Sequence, residues 1–299
     1  MGFDRSELGD LYPWTPKTLE LADGQTLSYL DEGEGPETLL MVHGNPTWSF
    51  YYRGLVQAFS STHRCVVPDH IGMGLSSKPQ DYAYTLATHI ENLDALCAKL
   101  DLRRVTLVIH DWGGAIGTGW ALRGTNLERV ERLVILNTSA FRSKRIPFSI
   151  DICRIPGFGA LAIRGMNAFA RAAVIRASTS KLPAAVARGY TGPYDSWANR
   201  ISTLRFVEDI PMHPGVPSWP VIVEIEEGLS RLKALPALIC WGGEDFCFDD
   251  SFLETWKEHL PDAEVHRFAD AGHYVLEDAG PEVIELMRAF LGAEASALA

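Results

Sequence analysis

The chain has 299 residues, 46% of them hydrophobic, enough for one large core or a core with an inserted subdomain, and this excludes a disordered chain. A formal net charge of −11 excludes a phosphate-backbone partner, which would need clustered Lys and Arg, so no nucleic acid is expected to bind. The five cysteines are odd in number, lack a CxxC pair and sit mostly in apolar runs, so they read as reduced core residues rather than disulfides.

The opening stretch, MGFDRSELGDLYPW, has acids where a secretion signal needs a basic and then an apolar region. No later run approaches membrane-spanning length, so a cytoplasmic location is expected. Thr18 to Leu21, a turn at Asp23-Gly24 and the alternating run Thr26 to Asp31 predict a β-hairpin. Short apolar runs then alternate with helical stretches: Thr38 to Val42, Arg64 to Pro68, Val105 to Ile109, Val130 to Asn137, Ala237 to Trp241 and Ala263 to Phe268. Continuous apolar strands between helices predict a buried, mostly parallel sheet with helices on both faces, eight-stranded when the hairpin is included. The alternation stops between about 141 and 211, where Arg, Ala, Ile and Phe recur at helical spacing. This segment reads as a helical cap inserted into a core domain made of residues 1–140 and 212–299. The Ala-rich tail from Ala293 to Ala299 reads as frayed, and no internal repeat is visible.

The run Val105-Thr-Leu-Val-Ile-His-Asp-Trp-Gly-Gly-Ala-Ile-Gly117 is a strand that ends abruptly in small residues opening a helix. That is the context of a nucleophile elbow, with Asp111 where G-x-S-x-G enzymes carry serine. Taken alone, Asp111 could equally be a helix cap. Downstream, Ile239-Cys-Trp-Gly-Gly-Glu-Asp245 ends a strand with acids in a loop, and Ala271-Gly-His273 follows another strand. Asp245 or Glu244 could be solvated and His273 a turn residue, but nucleophile, acid and histidine occur in the order of the α/β-hydrolase triad, at strand ends. In that reading Asp245 orients His273, the general base. The loop Met41-Val-His-Gly-Asn-Pro46 follows the third predicted strand, where the backbone N–H groups of Asn45 and Trp112 would form an oxyanion hole. The Trp indole is donor-only and the Asn amide carries two donor hydrogens, so the side chains also suit an acceptor-only anion, although each could be merely structural.

Together the strings HGNPTWSFYYR, PDHIGMGLSSKP, VIHDWGGAIG, WGGEDFCF and DAGHYVLED resemble the haloalkane dehalogenase family of α/β-hydrolases, from the N-terminal hairpin to the last helix. The resemblance implies Asp111 as nucleophile, His273 as base, Asp245 as acid and Asn45 with Trp112 as the leaving-group site. The loop acid after Trp241 and the Asn-Trp pair resemble the family's third branch, which includes the β-lactone decarboxylases of bacterial long-chain olefin biosynthesis, and these the chain resembles most. That resemblance implies conversion of a cis-3,4-dialkyl-β-lactone to a cis-alkene and CO2, with no cofactor or metal, and with a β-lactone synthetase and a reductase as pathway partners. The alternative is hydrolysis of haloalkanes to alcohol and halide.

An ionised aspartate can displace a leaving group from sp³ carbon without first losing a proton, which favours alkyl substrates over ordinary esters. In the cap, Ile146 to Ile175 holds Phe148, Ile150, Ile152, Ile155, Phe158, Leu161, Ile163, Met166, Phe169 and Val174, which could line an acyl-chain tunnel, form cap core, or face a partner or membrane surface. The interleaved Arg154, Arg164, Arg171 and Arg176 predict amphipathic helices with one wet basic face, open to a weak peripheral membrane contact or a protein contact. Epoxide hydrolases share the Asp-Trp-Gly elbow, and Tyr190 and Tyr194 are the cap tyrosines such an enzyme would need. A non-catalytic binding module on the same fold would not need the full set of nucleophile, acid and base.

Overall fold

The structure, a computed structural model, describes residues 3–292; the tail read as frayed lies outside them. Eight strands form one sheet: β1 (Lys17–Glu20), β2 (Thr26–Glu32), β3 (Thr38–Val42), β4 (Arg64–Pro68), β5 (Val105–Asp111), β6 (Val130–Thr138), β7 (Ala237–Gly242) and β8 (Glu264–Phe268). Their spatial order is β1-β2-β4-β3-β5-β6-β7-β8, with β3 to β8 parallel and the β1-β2 hairpin attached antiparallel to β4. The hairpin turns at Gly24, whose φ of 78° suits a residue without a Cβ, and the Asp23 carboxylate accepts the Gln25 N–H at 3.0 Å.

Both faces of the sheet are buried, which is why the central strands read as unbroken apolar runs. Leu40, Val42, Leu107 and Ile109 enter one core, whereas Leu39, Met41, Val108 and Val134 enter the other. The helices before the sixth strand's connection are α1 (Arg53–Phe59), α2 (Leu86–Lys99) and α3 (Trp112–Leu122). After β6 come α4 (Phe148–Asp151), α5 (Ala168–Arg176), α6 (Ala184–Thr191), α7 (Ile201–Glu208) and α8 (Trp219–Gly228), followed later by α9 (Asp250–His259), α10 (Val275–Asp278) and α11 (Gly280–Gly292). The apolar sides of α2, α3, α8 and α9 cover one face; α1, α6, α10 and α11 cover the other.

From β3 the chain steps outward to β4 and then returns across β3 to β5, so the winding reverses beside the C-terminal ends of β3 and β5. Such a reversal opens a crevice at those strand ends. Residues 141–211 hold α4 to α7, with a small core of Cys153, Ile163, Leu204 and Val207. The segment 148–176 is a series of short pieces, including a π-helical stretch at Ala160–Gly165, rather than a long amphipathic helix. Cys65, Cys97, Cys153 and Cys240 are buried and all five thiols are free. No helix among the described residues is long and apolar enough to cross a membrane.

Candidate active site

Asp111 ends β5 with φ 51° and ψ −129°, a left-handed conformation that costs an L-residue about 1–3 kcal/mol. Helix α3 starts at the next residue and lies tight against the sheet: a Cβ on Gly113 would strike the Val42 carbonyl, and one on Gly114 would strike Thr138 Oγ1. Asp111 occupies the N-cap position of α3, yet its carboxylate makes no capping bond to the helix's later N–H groups. The capping explanation therefore fails, and the carboxylate is turned into the crevice. Its Oδ1 accepts the Asn45 N–H at 2.6 Å and its Oδ2 lies 3.5 Å from His273 Nε2. Burial would raise the Asp111 pKa, but the hydrogen bond and charge of His273, with the Trp112 N–H, outweigh it and hold the group below the usual carboxylate range.

His273 follows β8 and Asp245 follows β7, so neighbouring strand ends bring them together. His273 Nδ1 donates to Asp245 Oδ2 at 2.8 Å, and the other Asp245 oxygen accepts the Cys247 N–H at 2.6 Å. Burial alone would lower the His273 pKa; the charges of Asp245 and Asp111 reverse that and raise it to about 10. The two neighbouring carboxyl groups thus favour the protonated, imidazolium form of His273. His110, one residue before Asp111, lies 4.5 Å from the His273 ring and donates from Nε2 to the His273 carbonyl at 2.9 Å. Its own burial drops its pKa to about 3 and keeps it neutral.

Asn45 and Trp112 flank the same carboxylate. The Asn45 amide donates from Nδ2 to the Thr203 carbonyl at 3.2 Å, which fixes its orientation and leaves a second N–H. Its Oδ1 is buried with no partner among the described residues. The Trp112 ring meets Phe206 edge-on at 5.2 Å, and its indole N–H has no protein acceptor among the described residues. The Asn45 loop rests on two buried histidines: His43 donates from Nδ1 to the Gly44 carbonyl at 2.8 Å, accepts the His70 N–H on Nε2 at 3.1 Å, and offers its carbonyl to His70 Nε2 at 2.8 Å.

A cavity of about 440 Å³ opens from Asp111, Asn45, Trp112 and His273 beneath the cap. Its walls are mostly apolar, with Ile150, Ile152, Phe158, Met166 and Phe169 on the cap side and Phe246 and Phe248 on the sheet side. The cap segment divides three ways: these residues line the cavity, Ile163 is core, and Phe148, Ile155, Leu161 and Ile175 face outward. The expectation of a uniformly wet basic face needs correction. Arg176 lines the cavity with its guanidinium 4.7 Å from the Phe246 ring, Arg164 covers Trp197 at 4.7 Å, and Arg154 is largely buried against Asp151. Tyr190 and Tyr194 lie off the cavity: the Tyr190 hydroxyl donates to Glu277, which also pairs with Arg53 at 2.6 Å, and Tyr194 donates to the Thr47 carbonyl at 3.4 Å.

Thr203, Phe206, His43, His70 and Arg176 were not picked out as site residues from sequence. Only His43 and His70, inside the strings HGNPTWSFYYR and PDHIGMGLSSKP, had a local signal.

Comparison with known proteins agrees with this geometry. The α/β-hydrolase fold family matches residues 37–280. A cis-3-alkyl-4-alkyloxetan-2-one decarboxylase of Shewanella oneidensis is 49% identical over 276 residues, spanning 90% of this chain and 86% of the relative. That of Xanthomonas campestris is 45% identical over 292 residues, spanning 94% and 97%. Haloalkane dehalogenase 2 of Mycobacterium tuberculosis is 28% identical over 284 residues, spanning 93% and 96%. The crystal structure of the haloalkane dehalogenase DatA from Agrobacterium tumefaciens superposes with a TM-score of 0.82 at 26% identity, covering 97% of this chain and 99% of that one. The chain belongs to the α/β-hydrolase fold family, among relatives named cis-3-alkyl-4-alkyloxetan-2-one decarboxylases and, at lower identity, haloalkane dehalogenases.

Proposed function

We propose that this chain is a cis-3-alkyl-4-alkyloxetan-2-one decarboxylase that releases a cis-alkene and CO2 through a covalent intermediate on Asp111. The observation that carries the reading is an ionised Asp111 in an apolar cavity, flanked by the unused donors of Asn45 and Trp112. Names of relatives at 49% and 45% identity support the same substrate class.

The Asp111 carboxylate attacks the ring carbon that bears the lactone oxygen, and that carbon–oxygen bond breaks. The departing carboxylate, still tethered through the neighbouring carbon, is held by the second Asn45 N–H and the Trp112 indole N–H as a halide would be. The bond to the carboxylate carbon then breaks, CO2 leaves, its electron pair forms the alkene, and Asp111 departs as a free carboxylate. Inversion at the attacked carbon followed by anti elimination preserves the cis arrangement of the two alkyl chains. No water is consumed. His273 serves as a fixed positive charge that keeps Asp111 ionised, with Asp245 holding its ring in place.

The test presents the purified chain with a 1-bromoalkane, an alkyl epoxide and a cis-dialkyl β-lactone, and follows bromide, diol, and alkene with CO2. Alkene from the lactone is the expected leading reaction, and bromide release outpacing it would overturn the assignment in favour of a dehalogenase. Label from isotopic water entering the Asp111 carboxylate during lactone turnover would count against the route without hydrolysis. An Asp111→Ala variant equal to the parent would point to a binding module instead. The same reading includes a β-lactone synthetase and a reductase as partners in a cytoplasmic pathway complex, tested by co-purification with the intact chain.

A further inference from the structure

The cap carries an unpartnered apolar surface. Phe148 and Ile175 are 79% and 77% exposed, Leu161 and Met166 are more than half exposed, and Ile155 and Phe158 lie beside them in sequence. Isolated exposed apolar residues are ordinary, but a concentration on one short segment is not. Two of these residues, Phe158 and Met166, also line the cavity that reaches Asp111, so the patch is continuous with the cavity mouth.

Charge separates this segment from the rest of the molecule. Residues 141–211 contain eleven Lys and Arg against four Asp and Glu, whereas the remainder contains sixteen against thirty-four. Arg171 lies one helical turn from Ile175, and Arg164 follows Leu161 by three residues. Neither arginine, nor Arg176, has a carboxylate partner among the described residues. Bulky apolar side chains beside cations that lack carboxylate partners, on a protein that is otherwise acidic, are complementary to an anionic lipid surface and would repel the same face of a second copy.

We propose that the cap face formed by Phe148, Leu161, Ile175 and their neighbouring arginines docks on an anionic bilayer, placing the cavity mouth at Phe158 and Met166 against the lipid. The docking stands on the patch and its charge; that the cargo is a dialkyl lactone and its alkene rests on the function proposed above. Apolar substrate then enters from the lipid and product returns to it without crossing water.

The full chain is mixed with sedimentable vesicles of pure phosphatidylcholine or of an equimolar mixture of phosphatidylcholine and phosphatidylglycerol. No substrate is present, so the result is independent of the reaction assignment. We expect partitioning about tenfold or more in favour of the anionic vesicles, weakened at high salt, because several cations act together within a Debye length. A Phe148→Ser/Leu161→Ser/Ile175→Ser variant, which leaves the cavity lining untouched, loses that binding about tenfold or more. Phe148→Ser alone is the second variant should the triple one fail to fold, and it reduces binding in the same direction. Absence of binding to anionic vesicles, equal binding to both compositions, or binding unaffected by the apolar substitutions overturns the proposal. So does a concentration-dependent dimer in sedimentation velocity that buries this face and prevents vesicle binding.

Discussion

Gly44 is the position at which a single methyl group should separate catalytic geometry from folding. A Cβ built there would fall 2.5 Å from the Cβ and Cγ of Asp111, and closer still to Oδ1. Ordinary carbon contacts need roughly 3.5–4 Å, so in Gly44→Ala the Asn45 loop and the elbow must separate by about 1 Å. Overpacking of this kind costs about 1–3 kcal/mol of stability. The catalytic effect is larger in proportion, because a misplacement of about 1 Å costs roughly 100-fold in rate. The displaced loop carries both the Asn45 N–H, 2.6 Å from Asp111 Oδ1, and the Asn45 amide. Gly54→Ala in α1 is the control, since a Cβ there meets nothing within 4 Å. Steady-state alkene release and thermal unfolding are measured on both variants and the parent. The expected pattern is kcat/KM down about 100-fold in Gly44→Ala with a modest fall in Tm, and a Gly54→Ala enzyme like the parent. Gly44→Ala turning over as fast as Gly54→Ala would refute the claim that the close approach of loop and nucleophile organises the site.

Tyr190→Phe and Tyr194→Phe are expected to leave alkene release within about threefold of the parent, because both hydroxyls face away from the cavity. Tyr190→Phe should still lower Tm, as Glu277 loses a buried donor, and a collapse of turnover in either variant would restore tyrosine electrophiles to the mechanism. Arg53→Ala leaves the Glu277 carboxylate, its side chain 8% exposed, with the Tyr190 hydroxyl but without its guanidinium partner, for a cost toward the lower end of about 3–5 kcal/mol readable in urea unfolding. The pH dependence has a definite sign. The His273 pKa is raised in the folded state from 6.5 to about 10, so its stabilising contribution is complete below pH 6.5 and is lost as pH rises through about 10. The Tm advantage of the parent over His273→Asn should therefore shrink across that interval; a constant difference would show that the two carboxylates do not hold the proton.

The sheet was readable because its strands are buried on both faces: Leu39 to Val42 and Val105 to Ile109 have no polar alternation to confuse with a helix. The turn at Asp23-Gly24 marked the hairpin for a different reason, the φ of its glycine. Asp111, Asp245 and His273 were readable because each sits where a strand stops, and a parallel sheet gathers such ends along one edge. What surrounds them was not. Thr203 orients the Asn45 amide across 158 residues of sequence, and Phe206 braces Trp112 from the same helix. Neither contact leaves a local pattern. The segment 148–176 is broken into short helical pieces with no shared period, so the inward Phe158, the exposed Ile155 and the buried Ile163 could not be separated by spacing. Arg176 is exposed like Arg171 and also lies against Phe246 at the cavity, a contact that its spacing does not reveal.

The same set of groups supports hydrolysis in a dehalogenase and, on the proposed route, elimination here, and the charge on His273 accounts for how one site could do both. Set between the carboxyl groups of Asp111 and Asp245, which raise its pKa to about 10, His273 holds its proton rather than activating water. Esterification of Asp111 removes one of the two carboxylates and lowers the His273 pKa, so a base emerges only after the covalent bond has formed. A haloalkane has by then lost its halide, and water is the only remaining way to free Asp111. A β-lactone still carries the carboxylate it released, one carbon from the ester, and that group can supply the electron pair that expels Asp111. The tethered route is intramolecular and needs no proton transfer, whereas hydrolysis must first deprotonate His273 and then admit water to an apolar cavity. Selection between the two outcomes can therefore rest with the substrate and with the dryness of the walls formed by Ile150, Phe158 and Phe169, while Asp111, His273 and Asp245 stay in the same places.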